Sequence, residues 1–282
     1  MAAAGAALAA CAADDGARYR DYAAMLAADG GLRADFDPAD AQFSNADLAA
    51  NFVRIALFRE YRRDGDALVQ ELTPTRISRW EAPIRFQIIG AGATAADRAE
   101  YAAFARRLAA LSGLEIKEAA AGETPNLSIL IIGPEERRAF VQALEEDGAA
   151  RRMPLVLQWA GDISYPCVGQ VGYQDVESGV ISGAMVMIKA ELSDMLRTSC
   201  IHEELTQTLG LMNDDPEVRP SIFNDDQEFA LLTKHDEYLL RILYHPRLRP
   251  GMTAEEALPL VPGIVEEIRP GGADARGNGK GV

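Results

Sequence analysis

The spacing of apolar residues along the chain changes between the period of a helix and that of a strand. Apolar residues three and four positions apart, with caps such as Thr94 and stops such as Gly113 and Pro246, indicate helices. Short apolar runs that end in glycine indicate buried strands. The predicted helices cover 17–28, 45–61, 94–113, 134–147, 200–212, 226–246 and 253–268, and the predicted strands cover 82–90, 126–133 and two segments within 164–190.

The order of these elements predicts an α/β (α+β) fold in which helices stack on a mixed sheet. The basic and aromatic segment 56–63 is interpreted as the solvated end of the second helix. Composition and element order divide the chain further. The predicted divisions are a signal and lipobox segment at 1–15, N-terminal helices and a linker at 16–80, the sheet-containing domain at 81–268 and a disordered tail at 269–282.

Composition and charge exclude two classes of partner. The chain has 282 residues, of which 48% are hydrophobic and 25% charged, as in a globular protein with a sizeable core. A net charge of -15 argues against nucleic acid, which requires a basic face, and against electrostatic attraction to anionic lipid. No apolar run reaches the roughly 18 residues of a membrane span.

The N-terminal segment Leu8-Ala9-Ala10-Cys11 resembles the lipobox of bacterial lipoproteins. The resemblance implies that Cys11 is lipidated and that the protein is exported and anchored to the periplasmic side of a bacterial membrane. No Lys or Arg precedes the apolar residues, which departs from the usual signal peptide. The alternative is an alanine-rich tail with a chance cysteine.

The other two cysteines, Cys167 and Cys200, are an even pair in an export context. A disulfide between them would close a loop of about 33 residues and restrict the unfolded chain. Two buried free thiols are equally compatible with the sequence, so both states stay open.

The segment 200–215, CIHEELTQTLGLMNDD, carries the candidate chemistry. On a helical wheel, Glu203 and Gln207 stand four residues apart on the polar face, a spacing that allows two side chains to share a ligand. His202 points about 140° away from Gln207, so the two cannot bind one ion on a regular helix. The residues assigned to the opposite, apolar face are Ile201, Leu205, Leu209 and Met212.

Read from Glu203, this segment resembles the H-E-x-x-H-x-x-G-x-x-H motif of metzincin peptidases. The resemblance places Glu204 at the catalytic general base and Gly210 at the turn. It also places Glu203, Gln207 and Asn213 at the three ligand positions. Phe223, in the segment PSIF, falls on the methionine of the Met-turn, and residues 178–190 resemble the edge strand along the substrate cleft. The implied fold is therefore zincin-like, with an antiparallel edge strand and an active-site-type helix.

Several collinear segments are also similar to a proteobacterial lipoprotein family known as domain of unknown function 2927, which has no established activity. The segments are FSNADLAANFVRIALFREY, ISRWEAPIRF, SCIHEELTQTLGLMND, PSIFND and LLRILYHPRLRPGM. The resemblance spans residues 43–252 and identifies a family without identifying a function.

The ligand-equivalent residues leave two function classes open. Glutamate, glutamine and asparagine offer only oxygen atoms, whereas zinc favours imidazole and thiolate, so no cofactor is expected and zinc or another divalent cation is the alternative. The first class is a non-catalytic module that binds an extended peptide or an envelope protein by strand addition near residues 180–189. The second class is a metal-dependent peptidase or hydrolase with Glu204 as general base.

The histidines carry no catalytic pattern. His202 is predicted to be a partly buried structural residue, and His235 a surface residue. His245 precedes Pro246 and is predicted to cap a helix end, where a cation suits the helix dipole.

Overall fold

A computed structural model describes residues 2–64, 67–192, 194–224 and 226–272, without the side chains of residues 2–14, 63, 64, 67 and 68. The helices in these ranges are α1 Ala2–Ala28, α2 Asn45–Ala56, α3 Ala95–Ser112, α4 Pro134–Glu146, α5 Pro154–Gly161, α6 Asp194–Gln207, α7 Lys234–Leu243, α8 Ala254–Ala257 and α9 Val261–Ile268. The strands are β1 Phe58–Asp64, β2 Ala67–Pro74, β3 Arg79–Trp80, β4 Ile84–Ile89, β5 Ile116–Glu118, β6 Leu127–Ile132, β7 Cys167–Tyr173 and β8 Val180–Lys189.

The main sheet is mixed, as the element order predicts. Its parallel strands run in the order β3-β8-β6-β4-β5, and β7 pairs antiparallel with β8. Ile181 of β8 pairs with both Trp80 of β3 and Tyr173 of β7, so these two strands lie on opposite edges of β8. The α/β (α+β) class with an antiparallel strand is confirmed.

The edge strand is β7 and not the segment near 180–189, so that prediction is wrong. Strand β8 pairs along one edge with β6 and along the other with β7. Its last four residues, 186–189, are all buried, as expected for a strand covered on both faces. Strand β7 contains Gly169 and Gly172 and pairs only with β8 among the described strands.

Helices cover both faces of the sheet. The side chains of β6 point alternately to one face and to the other. Ile129 and Ile131 belong to the larger core, together with residues of α2, α3, α6 and α7. Leu130 and Ile132 belong to a second core that contains Trp159 of α5 and contacts α4. The larger core lies under the helix that carries the candidate site.

The second predicted helix ends at Ala56, and a β-hairpin follows it. Strands β1 and β2 pair antiparallel from Phe58 to Pro74. Arg62 and Glu71 form an ion pair across this hairpin, with a nitrogen–oxygen distance of 2.9 Å. The interpretation of segment 56–63 as a helix end is therefore wrong beyond Ala56: its alternating aromatic and charged side chains suit a two-stranded ribbon.

Helix α7 begins at Lys234 rather than at residue 226. The Thr233 hydroxyl caps the helix by accepting from the backbone N–H of Asp236, whose carboxylate accepts from the backbone N–H of Thr233. The preceding residues form bends and one isolated β-bridge instead, in which Phe229 pairs with Arg33. A strong cap inside an apolar run thus fixes where the helix starts.

The segment 16–80 shares its core with the rest of the chain. Helix α2 packs against α7 and α9, and the Tyr19 hydroxyl of α1 donates to the carbonyl of Ile163 at 2.6 Å. At the other end, Arg269 stacks on Phe43 at 4.6 Å, while residues 273–282 of the predicted tail lie outside the described residues. Within the described part of the chain, no helix is long and apolar enough to cross a membrane.

Candidate functional site

A disulfide ties the edge strand to the helix of the candidate site. Cys167 at the start of β7 is bonded to Cys200 in the middle of α6, and the two Cα atoms are 5.9 Å apart. The disulfide confirms the pairing that the sequence left open and excludes two free thiols. It fixes β7 across α6, so both elements form the walls of one cleft.

The cleft has a volume of about 510 Å³. The outer edge of β7 and the C-terminal half of α6 form two walls, and strand β1 of the hairpin and the start of α5 face them. The residues that line the cleft include Arg59, Gly169, Val171, Tyr173, Glu203, Glu204, Gln207 and Asp214.

The outer edge of β7 carries backbone groups that do not bond to β8, and the N–H of Gly169 bonds instead to Glu204. The N–H of Lys189 donates to the carbonyl of Pro166, so the even-numbered residues of β7 bond to β8 and the odd-numbered ones do not. The N–H and C=O groups of Cys167, Gly169 and Val171 therefore point away from β8. All three residues line the cleft.

Glu204 lies beneath this edge with an incomplete set of partners. The residue is 6% exposed, and its Oε2 atom has no hydrogen-bond partner among the described residues. Burial first, and the nearby charge of Asp214 second, raise the pKa of the Glu204 carboxyl to about 8, against a smaller lowering by the hydrogen bond from the backbone N–H of Gly169. A carboxyl in this state can donate or accept a proton near neutral pH.

Gln207 and Asp214 form the next contact along the cleft. The amide nitrogen Nε2 of Gln207 donates to both carboxylate oxygens of Asp214, at 2.9 and 3.1 Å. The two residues come together because α6 ends at Gln207 and the chain turns back at Gly210. Glu203 and Gln207 lie in one cleft with Glu204, as their spacing on the helix predicts.

Asn213 does not return to the cleft, so its predicted position is wrong. Its side chain is fully buried and its amide nitrogen donates to the carbonyl of Arg54 at 3.0 Å, at the end of α2. Asp214, the next residue, takes the place in the cleft that the motif assigns to Asn213. The sequence does not reveal this shift, because it depends on how the turn docks against α2.

Gly210 permits that docking. It adopts a φ of 121°, and a Cβ atom there would overlap the carbonyl oxygen of Ser78. Two further bonds hold the turn: Trp80 Nε1 donates to the carbonyl of Thr208 at 2.8 Å, and the Tyr244 hydroxyl donates to that of Leu209 at 2.9 Å. Gly210 therefore occupies a turn, as the resemblance implies.

Phe223 is fully buried in the larger core, and its backbone carbonyl accepts from the N–H of Asp215 at 2.9 Å. It supports the segment that follows the turn and does not line the cleft. The Cys11 side chain lies outside the described residues.

Arg59 is a cleft residue that sequence reasoning missed. Its guanidinium donates to the Tyr173 hydroxyl at 2.9 Å and lies 5.4 Å from the centre of that ring. Its Nε atom is buried without a partner among the described residues. The arginines next to aromatic residues in segment 56–63 indicate a possible binding surface. The sequence did not predict the hairpin that brings Arg59 to the cleft.

The histidines lie outside the cleft. His202 stacks on Phe104 at 3.9 Å and accepts from the N–H of Leu232, and burial lowers the pKa of His202 to about 3. Its predicted structural role therefore agrees with its position. The prediction that His235 lies on the surface is wrong, because the residue is fully buried and bonds to Asn51 at 3.0 Å.

His245 does not cap helix α7. Its Nδ1 atom accepts from the backbone N–H of Arg247, and its Nε2 atom lies 3.3 Å from Glu267. Arg79 instead donates to the carbonyls of Leu243 and His245, at 3.1 and 3.4 Å. The cation at this helix end thus comes from β3, far away in sequence.

The side chains of the cleft do not fit a zinc site. Within the ranges that the structure describes, no group of three or more His, Cys, Asp or Glu side chains is arranged to hold a metal ion. Gln207 is engaged with Asp214, and His202 with Phe104 and Leu232. We therefore derive no chemical step through a metal.

Comparison with known proteins identifies a family. No curated protein and no solved structure matched the chain significantly. A family model described as a protein of unknown function, DUF2927, matches residues 45–263, which is well over half of the chain and contains α6, β7 and the cleft. The chain belongs to the DUF2927 family.

Proposed function

We propose that this protein is a non-catalytic module that binds an extended polypeptide, a peptide or a segment of an envelope protein, along the outer edge of β7. The observation that carries the proposal is the row of outward backbone groups of Cys167, Gly169 and Val171, which lines the cleft and of which only the N–H of Gly169 bonds to Glu204. A polypeptide in strand conformation satisfies such groups by adding one strand to the sheet.

Two features of the cleft support this mode of binding. The disulfide between Cys167 and Cys200 holds the edge in place before any ligand arrives, which lowers the entropic cost of binding. Strand β1, which carries Arg59, lines the cleft together with the outer edge of β7 and limits the width available to a ligand. Natural proteins usually prevent an edge strand from pairing with the sheet edges of other proteins. Here the walls of the cleft restrict access to the edge of β7 in that way.

The proposal predicts that Val171→Pro abolishes peptide binding while the protein stays folded. Proline removes the outward N–H at residue 171, and proline is tolerated where an edge strand needs no N–H for its own ladder. Peptides selected on the wild-type protein from a random library displayed on phage would be titrated by fluorescence anisotropy. We expect the affinity of the variant to fall by at least about tenfold, the scale of one lost hydrogen bond together with the lost fit.

Val171→Thr is the matched control, since it keeps the N–H and a branched side chain of similar size. It should bind the selected peptides as the wild type does. Equal binding by Val171→Pro, with an unchanged circular dichroism spectrum, would rule out strand addition at this edge.

A second candidate function is hydrolysis with Glu204 as general base or acid. The observation that favours it is the buried carboxyl of Glu204, whose raised pKa suits proton transfer near neutral pH. Incubating the selected peptides with the protein and analysing them by mass spectrometry separates the two functions. Cleavage by the wild type that is lost in Glu204→Gln would establish the hydrolase, and intact peptides at prolonged incubation would leave the binding module.

We also propose that Cys11 carries a lipid that anchors the protein to the periplasmic side of a bacterial membrane. The lipobox-like residues before Cys11 support this, and a lipid anchor with two or more chains holds a protein firmly. We predict that Cys11→Ser moves the protein from the membrane fraction to the soluble fraction without disturbing the disulfide. A wild-type protein that is unmodified by mass spectrometry and already soluble would refute the anchor.

A further inference from the structure

Glu204 differs from other buried carboxylates of this protein in lacking a partner for one oxygen. Asp97 lies 3.1 Å from Arg197, and Asp215 lies 2.9 Å from Arg54. Asp236 accepts from the Ser221 hydroxyl and from backbone N–H groups. Glu204 Oε2 has no partner within the described residues, although it is buried next to Asp214. Such a group is costly in a folded protein unless something else satisfies it.

The surroundings of Glu204 are rich in negative charge. Glu203, Glu204 and Asp214 all line the α6 side of the cleft. Gln207, which donates to both oxygens of Asp214, is neutral. Arg59 and Arg152 add positive charge to the cleft, and Arg59 bonds to the Tyr173 hydroxyl. The charge of Asp214 acts on Glu204 and raises its pKa, so a cation beside Glu204 would be attracted by both groups.

Access to Glu204 from the edge strand depends on Gly169. A Cβ atom at residue 169 would lie 2.8 Å from Glu204 Oε2 and 3.4 Å from the Thr208 methyl group. Because glycine has no side chain, the buried Oε2 atom lies directly against the β7 backbone, and the exposed 6% of Glu204 opens into the cleft. The space is narrow, so a long, flexible side chain with its charge at the tip fits better than a branched one.

We infer that the α6 side of the cleft binds the lysine or arginine side chain of an extended polypeptide paired with β7, with Glu204 as its direct partner and Asp214 as a nearby charge. The inference rests on the proposed function and deepens it by naming the ligand chemistry. Basic residues also suit a protein with a net charge of -15, which attracts cationic ligands over a longer range. A bound cation would favour the ionised form of Glu204, whose carboxylate would accept two parallel bonds from an arginine or one from a lysine.

The test compares three proteins against one random twelve-residue library displayed on phage: wild type, Glu204→Gln and Glu255→Gln. Glu255 is an exposed glutamate of α8, away from the cleft, and provides the same chemical change as a control. The wild type and the control should enrich lysine or arginine at one fixed position of the aligned peptides. Glu204→Gln should lose that enrichment at least about tenfold and keep the preferences at the other positions.

A second measurement changes the peptide instead of the protein. Replacing the selected lysine by norleucine should weaken binding to wild type by about tenfold and should leave binding to Glu204→Gln unaffected. Selected peptides with no fixed basic position, or a basic preference that Glu204→Gln retains, would overturn the inference while leaving strand addition intact. A wild-type protein that selects no peptide would overturn both.

Discussion

Raising the pH from about 5 to 8 should lower the stability of the wild-type protein relative to that of Glu204→Gln. Burial and the charge of Asp214 raise the pKa of Glu204 from its ordinary value of 4.5 to about 8. Between these values the folded protein binds more protons at residue 204 than the unfolded chain does, so the free energy of unfolding falls as the pH rises. At about 1.4 kcal/mol for each unit of pKa, the loss is on the order of 4 kcal/mol.

Other ionisable groups of the protein must be considered when the pH dependence of stability is interpreted. Asp214 lies near Glu204 on the same side of the cleft, and the Tyr101 hydroxyl of α3 is buried near it without a partner among the described residues. Burial raises the pKa of Tyr101 well above its ordinary value, so this tyrosine stays neutral in the range tested. His202 contributes equally to wild type and Glu204→Gln, so the difference between their pH dependences is assigned to Glu204 and the neighbouring Asp214.

Urea-induced unfolding at several pH values, followed by circular dichroism, measures the effect. Glu204→Gln removes the titrating group with little change of shape, so the variant should lack the loss that Glu204 causes. Both proteins keep the gain in stability that buried, neutral His202 contributes as the pH rises through 6.5. The exposed-residue variant Glu255→Gln should follow the wild type. Parallel curves of unfolding free energy against pH for wild type and Glu204→Gln would show that the carboxyl at residue 204 titrates normally. That result would contradict its burial beside Asp214.

Gly210→Ala should be among the most destabilising single substitutions in the chain, by about 4 kcal/mol or more. The added methyl group would overlap the carbonyl oxygen of Ser78, which is backbone and cannot rotate away, and a φ of 121° is strained for any residue with a side chain. The turn would have to move away from β3, which would separate Gln207 from Asp214.

Gly148→Ala separates the cost of the positive φ angle from the cost of the overlap with Ser78. Gly148 also has a positive φ, of 64°, but nothing lies within 4 Å of the position of its Cβ atom. We expect about 1 kcal/mol of destabilisation there, from the backbone conformation alone. If thermal unfolding gave similar losses for the two variants, the close approach of Gly210 to Ser78 would be refuted.

Local signals in the sequence were sufficient for several elements of the fold. Helix α3 begins behind Thr94 and ends before Gly113 because a capping box and a left-handed glycine act within a few residues. The four-residue spacing of Glu203 and Gln207 likewise needs only a regular helix to place them in one cleft. Such features depend on neighbours in sequence.

The wrong predictions involve contacts between distant residues. Whether 180–189 or 167–173 forms the sheet edge depends on the pairing of β8 with β3 and β6, which lie far away in sequence. The exchange of Asn213 for Asp214 depends on a bond from Asn213 to Arg54 of α2. The cleft could thus be predicted from one helix, but its edge strand and its hairpin wall could not.

Amide hydrogen exchange resolved by NMR tests the central claim of strand addition most directly. In the free protein, the N–H groups of Val168 and Gln170, which face β8, should exchange slowly, and that of Val171, which faces the cleft, should exchange faster. Adding a phage-selected peptide should slow exchange at Val171 by at least about tenfold and leave Val168 and Gln170 unchanged. Peptide binding that leaves the exchange rate of the Val171 amide unaltered would contradict the account.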